Sequence, residues 1–434
     1  MKTTLLFYIS LVLILFSGCK PVQTTQTLPT PKPINIIQVS ASNKDAFLTS
    51  LMASHPLFFD SIIKDKKKYN VEIIYTQINR REGNQPVFTD FYFNIDSAAY
   101  RYPASTIKLP IAALTLQKLN ELNIPALNKY TTMITEAQSA GQTAVYNDPT
   151  SPDGRPTIAN YIKKILLVSD NDASNRLYEF LGQAYINNAL QKMGYDSAQI
   201  LHRLSVSLNE SQNRTTNPVK FYNAENKILW EQKETKSEIR YHIRNEKLGK
   251  GYISDDQLIN KPFDFSGKNK LTLSDLHSIL RSIIFPESVP RQKRFDLTKE
   301  DYQFLYKHMS MMPHESKFPQ YDSTYDDAYV KFLLFGAKGS IGDSSIRIFN
   351  KVGDAYGFLT DAAYIVDFKN GIEFMLSASI YCNSDEVFND DRYDYDTIGF
   401  PFMKNLGSVI YQYELKRKRK NKPDLSSFKF NYAE

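Results

Sequence analysis

Pro103-Ala104-Ser105-Thr106-Ile107-Lys108, running on through Ile111-Ala112-Ala113-Leu114 to Leu122, sets a serine and a lysine at the mouth of an apolar helical pattern. Residues three apart share a helix face, so the Lys108 ammonium can reach the Ser105 hydroxyl. A serine hydroxyl is a poor nucleophile until a base takes its proton, and a lysine desolvated among positive neighbours can have its pKa lowered enough to serve. The first backbone N–H groups of a helix favour negative charge developing beside them. Pro110, inside the same pattern, removes a hydrogen bond and predicts a kink.

Two further motifs lie outward from this one. Ser169-Asp170-Asn171 follows the helical run 158–168, and Lys351-Val352-Gly353 closes a strand-like run that begins at Ile346. Ser169 offers a relay for a proton between Lys108 and a leaving group, and Asn171 offers a donor and an acceptor to a substrate amide. Lys351, on an edge strand, supplies positive charge opposite. Singly these patterns are weak: S-x-x-K recurs at Ser61–Lys64 and Ser426–Lys429, and K-x-G at Lys247–Gly249 and Lys369–Gly371. Their order and context discriminate.

The rest of the chain supplies a frame. Residues 43–68 show apolar positions at helical spacing, interrupted by Pro56 and ending in a basic cluster. Two strand-like runs follow, 71–78 and 87–93, joined by a polar loop as a hairpin. A mostly helical block covers 103–220, and 222–271 is polar and reads as a surface insertion. Helical patterns at 271–284 and 297–312 precede strands at 346–351, 362–368 and 372–381, with Lys369-Asn370-Gly371 as a tight turn. A last helix, 402–415, runs into the basic stretch 416–420, expected to be a solvated helix end that can touch anionic lipid. One antiparallel sheet built from both chain ends, with a helical region inserted between, is the simplest α/β architecture for this order.

With the motifs in place, the chain resembles class A β-lactamases and penicillin-binding proteins, whose signature elements are similar to Pro103–Lys108, Ser169-Asp170-Asn171 and Lys351-Val352-Gly353. Thr157–Tyr161 leading to Ser169–Asn175, and Asn217-Pro218, resemble the family's flanking segments, so the likeness spans about 43–414 with 222–271 added. The resemblance implies a β-lactamase/transpeptidase-like α+β sandwich over 41–415 and catalysis by Ser105, Lys108 and Ser169. It implies substrate binding by Asn171, Lys351, Gly353 and Asp354, with the N–H groups of Ser105 and Asp354 as oxyanion hole. No metal or organic cofactor is implied.

Three positions depart from the family pattern. In Arg203-Leu204-Ser205-Val206-Ser207-Leu208-Asn209-Glu210, Ser205 stands where class A β-lactamases carry the Glu that activates the deacylating water. A serine cannot take a water proton at neutral pH without its own base, which predicts slow deacylation; Glu210 can substitute only if the loop is rebuilt. Val352 replaces a hydroxyl residue, and Thr360-Asp361 stands about where relatives place an Arg. Loss of these anion donors, with Asp354 and Asp361 adding negative charge, predicts a neutral or amine-bearing peptide or ester as substrate. Weak β-lactamase, peptidoglycan D,D-peptidase, esterase and a non-hydrolytic penicillin-binding or sensor module all stay open.

Composition bounds the rest. The 434 residues are 42% hydrophobic and 23% charged, enough for a large core, and a formal charge of +6 is too mild and interspersed for a nucleic-acid binder. Two cysteines, Cys19 and Cys382, build no disulfide framework, and Cys382 lies in an apolar run as a core thiol. Six scattered histidines show no zinc spacing. The N-terminus, with Lys2 and the apolar run 5–16 followed by Ser17-Gly18, predicts an export signal over 1–18. Cleavage before Cys19 resembles a bacterial lipoprotein signal, which implies a lipid on Cys19 and a cell-envelope protein facing the periplasm or exterior. Residues 19–40, rich in Pro and Thr, read as a tether, and 416–434 as a basic tail. A small-molecule or peptide substrate and the membrane are the expected partners; the sequence leaves oligomeric state open.

Overall fold

The structure, a computed structural model, describes residues 44–341, 343 and 345–432. The export signal, Cys19 and the tether to residue 40 lie outside the described residues.

Helix α1 (Lys44–Ala53) and helix α2 (Pro56–Lys64) break where Pro56 stands, as the first residue of α2. Strands β1 (Glu72–Arg80) and β2 (Pro86–Phe93) form the expected hairpin, each extending into the loop read from sequence. The helical block holds α3 (Lys108–Leu122), α4 (Ile158–Val168), α5 (Asn171–Leu181) and α6 (Gln183–Lys192). Then come α7 (Leu273–Ile284), capped by Thr272, and α8 (Lys299–Ser310), capped by Thr298. Strands β3 (Ile346–Ala355), β4 (Phe358–Asp367) and β5 (Ile372–Tyr381) lead to α9 (Phe400–Lys416). The sheet order is β3-β4-β5-β1-β2, antiparallel throughout, so the two chain ends do share one sheet and β3 is an edge.

Side chains alternate across a strand, and this sheet is buried on both faces. One face, with Phe349, Ala362, Tyr364 and Met375, packs on α3, α4, α5, α7 and α8; the other, with Ile348, Val352, Leu359 and Phe374, packs on α1, α2 and α9. Cys382 is buried on the second face. Lys351 and Gly353 fall on the face toward the helical block, opposite Ala362 and Thr360.

Three expectations need correction. Lys351-Val352-Gly353 lies inside β3, which runs on to Ala355. The segment 222–271 is more than a surface appendage: residues 228–232 pair with Val219–Tyr222, which pair with Thr132–Thr135, and Trp230 packs against Phe180 and Phe221. Phe265 is fully buried. A few aromatic rings spaced through a polar sequence carry that burial, which periodicity does not register. In the basic stretch Lys416, Lys418 and Lys420 are exposed as expected, but the two arginines are tied down: Arg417 donates to Glu414 (Nε to Oε2, 2.8 Å) and to Asn79 Oδ1 (2.6 Å), Arg419 pairs with the same buried Glu414, and beyond them Leu425 and Phe428 reach the core.

Candidate functional site

The cleft is built where the edge strand β3 meets the helical block. Ala104–Ile107 forms a 3-10 turn that passes into α3 at Lys108, so the proline disturbance falls at the helix start: Pro110 is the third residue of α3, where a missing N–H costs least. Ala104 has φ +45°, a sparsely populated conformation for a side-chain-bearing residue, directly before Ser105. Ser105 is half-buried, and its N–H, in the first turn, has no intrahelical acceptor. The close approach of β3 explains Gly353. A Cβ there would lie 2.7 Å from Pro103 O, 2.8 Å from Thr106 N and 2.9 Å from Ser105 N, so a side chain would occupy the space beside the Ser105 N–H.

Ser169-Asp170-Asn171 is a junction between helices. Ser169 caps α4 in the left-handed region (φ +60°), Asp170 caps α5 by accepting the Ala173 N–H (2.8 Å), and Asn171 opens α5. This turn aims three acceptors at Lys108, whose Nζ donates to Ser169 O, to Asn171 Oδ1 (2.6 Å) and, at 3.3 Å, to Ser169 Oγ. Lys351 Nζ reaches the same hydroxyl from the strand side, 2.8 Å from Ser169 Oγ, and also donates to Val352 O (2.9 Å). Ser169 Oγ therefore lies between two buried lysine side-chain nitrogens. Burial, then the charge of Lys351, pushes the Lys108 pKa well below the usual lysine range. Burial brings Lys351 down to about 7 against the opposing pull of Asp354 and Asp361.

The loop that follows α6 brings Ser205 to this centre. Asn175 on α5 clamps Leu204 through both amide ends (2.9 Å each), while Arg203 makes a buried ion pair with Glu179 and donates its backbone N–H to Asn213 Oδ1 (3.0 Å). Glu179 also accepts the Asn217 N–H (2.7 Å), closing the loop at its far end. Held this way, Ser205 Oγ accepts from Asn171 Nδ2 at 2.8 Å. Glu210 points away: it is exposed and tied to Arg214 on its own helical turn.

Lys108, Ser169, Asn171 and Lys351 thus form one hydrogen-bonded group, Gly353 lies against the Ser105 backbone on the turn that leads into Lys108, and Asp354, next on the strand, is exposed. Val352 and Asp361 do not line it. They face each other on the opposite side of the sheet, Val352 in the apolar core and Asp361 accepting the Leu333 N–H (3.0 Å) and Asn350 Nδ2 (2.9 Å). The period of two along β3 puts Val352 behind the sheet when Lys351 is in front, so the expected loss of anion donors at these two positions has no footing in the cleft. Sequence reading also missed Asn175 and Glu179, whose partners are tens of residues distant, and Lys331, buried behind β3 with Nζ on Met309 O (2.7 Å), Ile348 O (3.0 Å) and Asn350 Oδ1 (2.7 Å).

Among solved structures, the chain is similar to a class A β-lactamase from Clostridium kluyveri (14% identity, 82% of this chain and 98% of that one, TM-score 0.45). A β-lactamase from Sphaerobacter thermophilus shows 11% identity over 83% of this chain and 97% of that one, TM-score 0.42. A PBP-A mutant in acyl-enzyme complex with penicillin G shows 17% identity over 84% and 96%, TM-score 0.44. No curated protein matches the sequence. The model of the beta-lactamase enzyme family matches residues 59–413, a span that holds every cleft residue described above, and the chain belongs to that family.

Proposed function

We propose that the protein is an exported serine hydrolase that acylates Ser105 with a β-lactam, amide or ester and releases the acyl group slowly. The observation that carries this reading is the convergence of Lys108 and Lys351 on Ser169 Oγ beside Ser105. With Ser169 O and Asn171 Oδ1 fixed as acceptors, a neutral Lys108 amine uses both its N–H bonds and keeps a lone pair for the Ser105 proton. Ser105 Oγ then bonds to the carbonyl carbon, the carbon–nitrogen or carbon–oxygen bond breaks, and the proton passes from Lys108 through Ser169 to the leaving atom. The Ser105 N–H and that of Asp354 receive the carbonyl oxygen as it becomes negative. Hydrolysis of the ester needs a base for water, and the residue facing Asn171 from the loop is Ser205, a hydroxyl.

Intact-protein mass of the body lacking residues 1–33, with a penicillin or a cephalosporin, tests the first half. Opening a penicillin's β-lactam ring expels nothing, so its adduct carries the whole drug mass, while a cephalosporin with a leaving group at C3′ adds its mass less that group; either adduct is expected on the parent protein and absent from Ser105→Ala. An adduct of equal yield on Ser105→Ala contradicts the assignment. A non-hydrolytic sensor uses the same first step, and the missing base at Ser205 favours it as second reading. Export and a lipid on Cys19 are part of the proposal. They predict that the full-length protein partitions into detergent when made in a bacterium, that Cys19→Ser does not, and equal partitioning of both contradicts the anchor.

A further inference from the structure

The segment that follows the small sheet builds one wall of the cleft. Phe263 and Phe265 pack with Tyr100, Tyr102 and Ala104, immediately before Ser105, and with Phe358 and Phe388. Phe263 stacks on Tyr356, two residues past Asp354 (centroids 5.6 Å apart, planes at 29°). Tyr102 meets Tyr356 edge-on at 5.0 Å and lies parallel to His202 at 6.3 Å, three residues ahead of Ser205. One aromatic cluster therefore touches the segments that carry Ser105, Asp354 and Ser205.

Cations lie on this cluster without a carboxylate partner. Lys268 Nζ is 5.7 Å from the ring centres of both Phe263 and Tyr356, and the Arg244 guanidinium is 5.3 Å from that of Tyr100. Among the described residues neither makes an ion pair; Arg244 donates through Nη2 to Lys268 O, while its buried Nε and Nη1 have no acceptor. His202 completes the group. Its Nδ1 is 2.6 Å from Arg203 O, so that nitrogen carries the proton, and Nε2 is buried without a partner. Burial, then the positive charge of Lys268 and Arg244, lowers the ring pKa to about 4, so the three groups share one field.

The structure assigns this aromatic, cationic space as a subsite for a carboxylate carried on the acyl part of the substrate. Arg244 is buried and Lys268 beside it part-buried, and a cation without a counter-ion gains from an anion brought by a ligand. The acyl side is favoured because the other side has different neighbours: Val168, beside the Ser169 that hands the proton to the leaving atom, packs with Tyr321 and Tyr325, and among the described residues that group holds none of the insertion's rings. The placement on the acyl side rests on the proposed acylation of Ser105; the preference for an anion does not.

Non-covalent binding to the Ser105→Ala protein separates the two. Carbenicillin, benzylpenicillin and ampicillin differ at one side-chain carbon, which bears a carboxylate, no charged group or an amine. Carbenicillin is expected to bind about 10-fold tighter than benzylpenicillin and ampicillin weakest, the low end of what one charge-assisted contact provides. Lys268→Met in the same background removes one of the two cations and lowers the carbenicillin-to-benzylpenicillin ratio toward about 1. If that variant does not fold, the ratio in Ser105→Ala at low and high salt reads the same contact, since screening collapses it. Equal binding of the three drugs, a ratio that survives Lys268→Met or high salt, or no binding at millimolar drug overturns the subsite. A preference in Ser105→Ala with no adduct on the parent sinks the acylation reading alone, and an adduct without preference sinks the subsite alone.

Discussion

Lys351 is 2% exposed, and removing an ammonium from water costs several kcal/mol unless its surroundings repay it. Its pKa near 7 records that imbalance and has a kinetic consequence. A lysine is charged below its pKa and neutral above, so the charge that Lys351 directs at Ser169 is present in acid and is lost as pH rises through about 7. The acylation rate is expected to fall across that range. Lys351→Arg keeps its charge at every working pH and should move the falling limb to alkaline pH. A stopped-flow pH profile checks this, and an unmoved limb in the variant assigns the fall to another group.

At the scale of elements, the loop from Arg203 to Asn217 has few apolar contacts of its own and is held by buried polar groups on α5. Glu179 is the hub, pairing with Arg203 and accepting the Asn217 N–H. Breaking a buried pair from one side leaves an uncompensated charge, so Arg203→Met is expected to cost about 3–5 kcal/mol in urea unfolding. It should also release Ser205 from Asn171, seen as faster proteolysis of 203–217 at temperatures where the body stays folded. A loss under about 1 kcal/mol would mean that Glu179 finds other donors. None of this was legible in sequence, because Arg203 and Glu179 are ordinary charges until the fold brings them together. Ser105, Lys108, Ser169, Asn171 and Lys351 were legible, since each sits in a short pattern whose local structure a helix start, a helix junction or an edge strand dictates. Val352 and Asp361 were read from the family pattern; strand alternation places Val352 on the face opposite Lys351, and the register that pairs it with Asp361 places that carboxylate there too.

Across the whole molecule, the architecture followed from the order of elements, with strands at both chain ends and helices between. Beyond that order lay the return of the C-terminal segment, where Leu425 and Phe428 complete the core after the last helix, and the aromatic wall built by sparse rings in polar sequence. On the proposed function, this assembled cleft takes up an acyl group and, with Ser205 facing Asn171, does not readily give it back. The most direct test follows the mass of the whole protein over minutes to hours after a penicillin pulse and drug removal, for the parent and for Ser205→Glu. The parent adduct should persist for hours. A carboxylate at position 205 supplies the absent base and should shorten the adduct lifetime by about 10²-fold or more, within the usual range for general-base catalysis. A parent adduct that decays within minutes, or a lifetime unchanged by Ser205→Glu, would contradict the account.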